Sequence, residues 1–245
     1  MHDLNRLTMS EVALLAAELR KLGEGMPSAE AASQCIARYL FSELRDGESE
    51  RSGCILVRCF KTHPFDELPP TLQRIARGIA DPVDLKGVTR CLTLLGTYGE
   101  EPCWRERRLS GGHQVIPLAS EQVLESFPMI SRLTRSLGLE THHVVHPDPA
   151  VLLEKDRKGF NVLHIEEASG DPNIPAQDFI KKYGVRSVVG LGFAFPPSDI
   201  FACIIFTRTK VDAATAGMFK VLALSLKLAI LPLSSKTFEP EGDAS

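Results

Sequence analysis

The chain has 245 residues, 44% of them hydrophobic, and its 28 Lys and Arg stand against 31 Asp and Glu for a formal net charge of −3. That length suits one large domain or two small ones with a sizeable core. The charge balance, with a pI near 6.2, excludes a general nucleic-acid surface, which needs a strong basic excess, and the local run Arg105, Arg107 and Arg108 reads as solvated surface.

The first residues carry no apolar core of the kind an export signal needs, so a cytoplasmic protein is expected. No window approaches the roughly 18 uninterrupted apolar residues of a membrane span. The nearest, 221–233, is short and contains Lys227. Six Cys, at 35, 54, 59, 91, 103 and 203, are then expected as free thiols in a reducing compartment.

In chain order, 10–22 reads as a helix, with Ser10 as cap and Val12, Leu15, Leu19 and Leu22 at helical spacing. Residues 28–44 form a second helix capped by Ser28, and 46–53 a polar turn. The branched run 54–60 is a strand. A short helix over 72–80 follows, opened by Pro69 and Pro70. Residues 90–98 make the next strand, 100–112 an irregular segment holding Trp104, and 113–118 a short strand that Pro117 confines to an edge. A helix over 120–137 is broken or kinked by Pro128. A loop with three His covers 140–149, a short helix 150–155, and a strand 161–165. The chain closes with a short helix near 176–183, strands near 187 and 200 separated by Pro196 and Pro197, and an apolar helix over 212–231. Residues 234–245 read as a polar, disordered tail. The whole predicts an α+β fold with a mostly antiparallel sheet of about six strands and the terminal helices packed on one face.

Several segments carry a resemblance: FKTHPF at 60–65 with ELPP at 67–70, CLTLLGT at 91–97, GHQVIPL at 112–118, PMISRL at 128–133, PDPA at 147–150, and the run 175–193. From Cys54 to Leu233 the chain resembles a GAF-like sensory segment found mainly at the N-terminus of bacterial sensor histidine kinases. The resemblance covers about three quarters of the chain, and no kinase module accompanies it. It implies a single GAF-like domain over 1–233, preceded within that range by the helices of 10–44. It also implies an antiparallel sheet with helices on one side and a ligand pocket on the other, and a role in signal reception. It names no ligand and no cofactor.

Candidate chemistry divides into readings with and without turnover. Gly190 and Gly192 lack the third glycine and following helix of a dinucleotide fingerprint, and read as sites of close backbone approach. His142, His143 and His146 read as exposed loop histidines, since no Cys stands near them. Cys54 and Cys59, five apart on a strand, are expected to face opposite sides. One GAF-like branch reduces free methionine sulfoxide with thiols, and Cys91 and Cys103 would be its candidates here; a Cys that merely fills core space is the commoner case. Ser110 and His113 are too close in sequence to form a nucleophile and base. Trp104, His113, Tyr183 and Phe193 are expected around a ligand pocket, with Arg132 (beside Arg135) as an anion-holding group. The expected function is ligand binding without turnover, relayed through the terminal helices to a homodimer partner and onward to a histidine kinase or other signalling protein. A thiol-dependent enzyme and a ligand-free dimerisation scaffold are the alternatives.

Overall fold

The structure is a computed structural model that describes residues 1–47, 51–80, 84–157, 162–195 and 199–240. A two-residue strand β1 (His2–Asp3) precedes helix α1 (Met9–Lys21). The cap of α1 is Thr8, not Ser10. Its hydroxyl accepts from the Glu11 backbone N–H while the Glu11 carboxylate accepts from the Thr8 N–H. Only Thr8 has a Glu three residues on, and that reciprocal pair fixes the start. Helix α2 (Ala29–Glu43) begins at Ser28, whose Oγ accepts from Ala31 N at 3.0 Å. Then come β2 (Leu44–Arg45), which pairs with β1, the long strand β3 (Cys54–Pro64), α3 (Pro70–Ala80) and β4 (Arg90–Gly99).

Two single 3-10 turns, Pro102–Trp104 and Arg107–Leu109, lead to the edge strand β5 (Val115–Pro117). Pro128 divides the next helical stretch into α4 (Glu121–Glu125) and α5 (Pro128–Ser136), with Phe127 held outside helical geometry as Pro requires of its predecessor. The His-rich stretch expected as a loop contains a turn of helix, α6 (Thr141–Val145), and α7 (Pro149–Arg157) follows. The chain ends with β6 (Val162–Ile165), α8 (Gln177–Tyr183), β7 (Ser187–Phe195), β8 (Asp199–Thr207), α9 (Ala213–Met218) and α10 (Lys220–Ile230). The Pro196-Pro197 break between β7 and β8 lies outside the described residues.

The main sheet has six strands in the order β5-β4-β3-β8-β7-β6, each neighbour antiparallel. This is the α+β architecture with an antiparallel six-stranded sheet expected from the sequence. Helices α1, α2 and α10 cover one face. Leu15, Leu19, Ile36, Leu40, Leu226 and Ile230 pack there on Val57, Leu95, Val189 and Ile205. On the other face α5, α6 and α8 cover Phe60, Leu94, Val188 and Ile204. The central strands β3 and β8 are therefore buried on both sides, which accounts for their near-continuous apolar sequence.

Three expectations change. Cys54 and Cys59 do not face apart: the register of β3 against β8 slips between Cys54 and Leu56. That extra residue returns both thiols to the helical face, where Cys59 stands directly opposite Cys203. Arg107 is not solvated surface but buried against Glu30. The tail, as far as Pro240, is docked: Lys236 O and Thr237 O accept from Ala29 N and Glu30 N, each at 2.8 Å. Those are donors that the first turn of α2 leaves without helical partners. Residues 241–245 lie outside the described ones. The stretch Ala213–Leu233 also meets the length and composition of a membrane span, because Lys220 and Lys227 are its only charges. It is folded as a partly buried helical layer on α1 and the sheet.

Candidate functional site

The face of the sheet away from the terminal helices holds a cavity of about 440 Å³, within the range of small-molecule sites. Strand alternation builds its floor. Leu56, Arg58, Phe60 and Thr62 of β3 point into it, as do Ile200, Ala202, Ile204 and Phe206 of β8. Helix α5 and the residue before it supply the opposite wall through Phe127, Met129, Ile130, Leu133 and Thr134. Trp104, His113, Ile116 and Leu118 close one side, and Phe179 of α8 another.

Gly190 and Gly192 of β7 let this wall approach the sheet. A Cβ on Gly192 would lie 2.9 Å from Leu137 Cδ1, and one on Gly190 3.2 Å from Leu133 Cδ1. The pair serves packing, as its strand context indicated.

Arg58 is the one permanently charged side chain among the described lining residues. Its Nη2 donates to Ser110 Oγ at 3.1 Å. Its Nε is buried without a hydrogen-bond partner. Burial pushes its pKa down to about 10. Ser110 in turn donates to Gly112 O at 3.0 Å, which fixes the hydroxyl that receives Arg58. His113 follows this tight segment with φ +62°, a left-handed conformation uncommon outside glycine. Burial first, and then the Arg58 cation, hold its imidazole below the ordinary value.

Of the residues singled out in the sequence, Trp104 and His113 line the cavity. Tyr183 lies behind them, its ring 4.7 Å from that of Trp104 and 5.3 Å from that of Phe179. Phe193 lies on the opposite face, stacked on Phe201 at 5.0 Å in the core under the helices. On β7 the odd positions 189, 191 and 193 face the helices, so Phe193 cannot reach the cavity side. Arg132 sits on the outer side of α5, 3.4 Å from Asp171 Oδ2 and from His164 O, and does not line the cavity. His142 of α6 lies 5.8 Å from His143 and 5.4 Å from His146 at the end of that helix, ring to ring. Cys91 packs beneath α3 with its thiol pushed up to about 12 by burial, and Cys103 is exposed. Neither lines the cavity.

Arg58 is not among the site residues that the sequence singles out. The signal was present: one charged side chain in the otherwise apolar run 54–60, in a strand too apolar to be an edge. A charge in such a strand needs a partner or a task. A second charged cluster has no counterpart in the sequence-based candidates. At the far end of β3, Lys61 Nζ lies 2.6 Å and Arg90 Nη1 2.7 Å from the two oxygens of Asp199, all buried. Thr62 Oγ1, accepting from Ile200 N at 2.9 Å, ties the cavity floor to it.

No family model and no curated protein matches the chain. Among solved structures, an N-acylhomoserine lactone dependent LuxR family transcription factor, CepR2 from Burkholderia cenocepacia, is 13% identical with TM-score 0.45, over 91% of this chain and 97% of that one. Free methionine-R-sulfoxide reductase from Neisseria meningitidis is 9% identical with TM-score 0.42, over 90% and 91%. The phycoerythrobilin-bound GAF domain of a cyanobacterial phytochrome is 10% identical with TM-score 0.41, over 92% and 95%. These likenesses are too distant to carry a ligand or an activity to this chain.

Proposed function

We propose that the chain is a cytoplasmic sensory domain that takes a small molecule into the cavity between the sheet and α5, and passes its bound state through the terminal helices to a partner. The observation that carries this reading is the cavity itself, roomy and apolar where a scaffold would have filled it with side chains. The relay rests on β3 and β8. Phe60, Ala202 and Ile204 face the cavity while Cys59, Cys203 and Ile205 face α1, α2 and α10. A ligand that shifts either strand therefore bears on the helical layer, provided it binds the shifted state better. The reading is of binding, and the thiol-dependent alternative finds no thiol among the described lining residues. The partner is a second copy of the chain, and beyond it a histidine kinase or other signalling protein.

Native mass spectrometry of the purified full chain tests the cavity. A co-purified mass that disappears in Ala202→Phe, which fills the floor, supports the reading. A bound mass unaffected by that substitution overturns it.

A further inference from the structure

The lining of the cavity is chemically lopsided. Apart from Arg58 and His113 its polar members are Thr62, Ser126, Thr134 and the Trp104 indole. No Asp or Glu is among the described lining residues. Arg58 lies on β3, the third strand of six, so it rises from the middle of the floor and not from the rim. Phe60 and Ile204 flank it there, since Ile204 is its cross-strand partner and Phe60 its neighbour on the same face.

We infer that the cavity takes an amphiphile with an apolar body and a single anionic head, the head bound by Arg58 and the body by the apolar wall. This rests on the proposed ligand-binding role. A guanidinium carries five donors and cannot shed its proton easily. Here one nitrogen is committed to Ser110 Oγ and another, Nε, is buried with nothing to receive its hydrogen. A buried donor left unmet is costly, and a buried cation without an anion more so. A carboxylate entering the cavity would supply the missing counter-charge and offer acceptor oxygens to the guanidinium on the cavity side. Ser110 holds the guanidinium in place beforehand, so little ordering remains to be done on binding. The walls set the rest of the ligand. Phe127, Met129, Leu133 and Phe179 offer nothing to a second charge or to a sugar, which would be left unpaired.

The test uses three ten-carbon probes below their micellar concentrations: decanoate, 1-decanol and decylammonium. Each is titrated into the full chain by calorimetry at neutral pH. The expected ranking places decanoate above decanol by roughly tenfold to a hundredfold, the scale of hydrogen bonds to a charged group. Decylammonium ranks last. Arg58→Met, of similar length and uncharged, removes the preference while leaving decanol binding intact. Equal binding of decanoate and decanol, or a preference that survives Arg58→Met, overturns the assignment of the head group and leaves the cavity as a neutral apolar site. A wild-type chain that binds none of the three overturns the cavity reading and the ligand class together. The wild-type ranking stands on its own should Arg58→Met fail to fold.

Discussion

Glu30 and Arg107 form a buried two-pronged ion pair, Arg107 Nε on Oε1 at 2.5 Å and Nη2 on Oε2 at 2.8 Å. The same Oε2 accepts from Glu239 N at 3.1 Å, and the Phe238 ring lies 5.8 Å from the Arg107 guanidinium. One carboxylate thus ties the first turn of α2 to two other segments. One is the 3-10 turn that leads into Ser110 beside the cavity, and the other is the docked end of the chain.

Removing one partner of such a pair strands a buried charge. Arg107→Met is expected to cost about 3–5 kcal/mol, and Arg107→Met with Glu30→Met much less than that, since the double change leaves no uncompensated charge. Urea unfolding of the two variants checks this. A single variant within about 1 kcal/mol of wild type would mean that water reaches the site.

The sequence could show neither the ion pair nor its consequence. Arg105, Arg107 and Arg108 look alike in composition, and only the tertiary partner Glu30 takes Arg107 out of the solvent. What was legible were properties local to a segment: the helical spacing of Leu15, Leu19 and Leu22, the Ser28 cap, the Pro128 break, the edge position forced by Pro117. Trp104 and His113 were also found, because an irregular segment beside a strand end is a natural cavity rim. Phase was harder to read. Alternation along a strand is reliable only from a fixed starting point, and the slip between Cys54 and Leu56 moved that point for the thiols. Phe193 failed on the same ground, since its side of β7 follows from a register with β8 that no local pattern reveals.

The thiols now divide by surroundings. Cys54, Cys59, Cys91 and Cys203 are buried, Cys35 is half-buried and Cys103 is exposed. A hydrogen bond that Cys203 gives to Cys59, then burial, raises Cys203 well above the ordinary thiol value, and burial raises Cys54 likewise. The thiolate is the reacting form. Native protein treated with an aromatic disulfide reagent at pH 8 should therefore release colour rapidly from Cys103, and from the four buried thiols only on unfolding. Rapid native reaction at Cys59 or Cys203 would contradict the packing of that face.

His63 provides a pH test. Burial first, and then the cations Lys61 and Arg90, hold its imidazole well below 6.5. Nδ1 lies 3.3 Å from Lys61 Nζ, a donor, so the ring proton belongs on Nε2, which is buried without a hydrogen-bond partner beside the Phe238 ring. The folded value lies below the unfolded one. Between the two, the unfolded chain binds a proton that the folded chain refuses, so stability is full above about 6.5 and falls as pH drops below it. The slope from one such group reaches about 1.4 kcal/mol per pH unit. His63→Gln should flatten the fall in unfolding free energy between neutral pH and pH 5.5 relative to wild type. Parallel curves for the two proteins would rule the group out as its source.

The terminal helices carry the last expectation, a homodimer. Helix α10 turns Leu222, Ala223, Leu226, Ala229 and Ile230 inward. It leaves Val221, Leu224 and Leu228 at 38%, 41% and 46% exposure, and α1 adds Leu14 at 62%. Positions 221, 224 and 228 recur at three and four residues, so they form one stripe along the helix. The intramolecular packing that was expected to cover part of this helix does so: α1 lies alongside, with Arg20 Nε on Ser225 Oγ at 3.2 Å. The remaining stripe faces outward on the layer that would relay the cavity's state. A second copy laid against it would cover the same residues on both chains, as a twofold interface requires. Sedimentation at micromolar concentration should give a dimer for wild type and a monomer for Leu224→Glu and Leu228→Glu. Thermal unfolding below the dimer's dissociation range should show little change, because both side chains are already in solvent in the monomer. A wild-type monomer that neither substitution alters would assign the stripe to the surface of a single chain and remove the dimer from the relay.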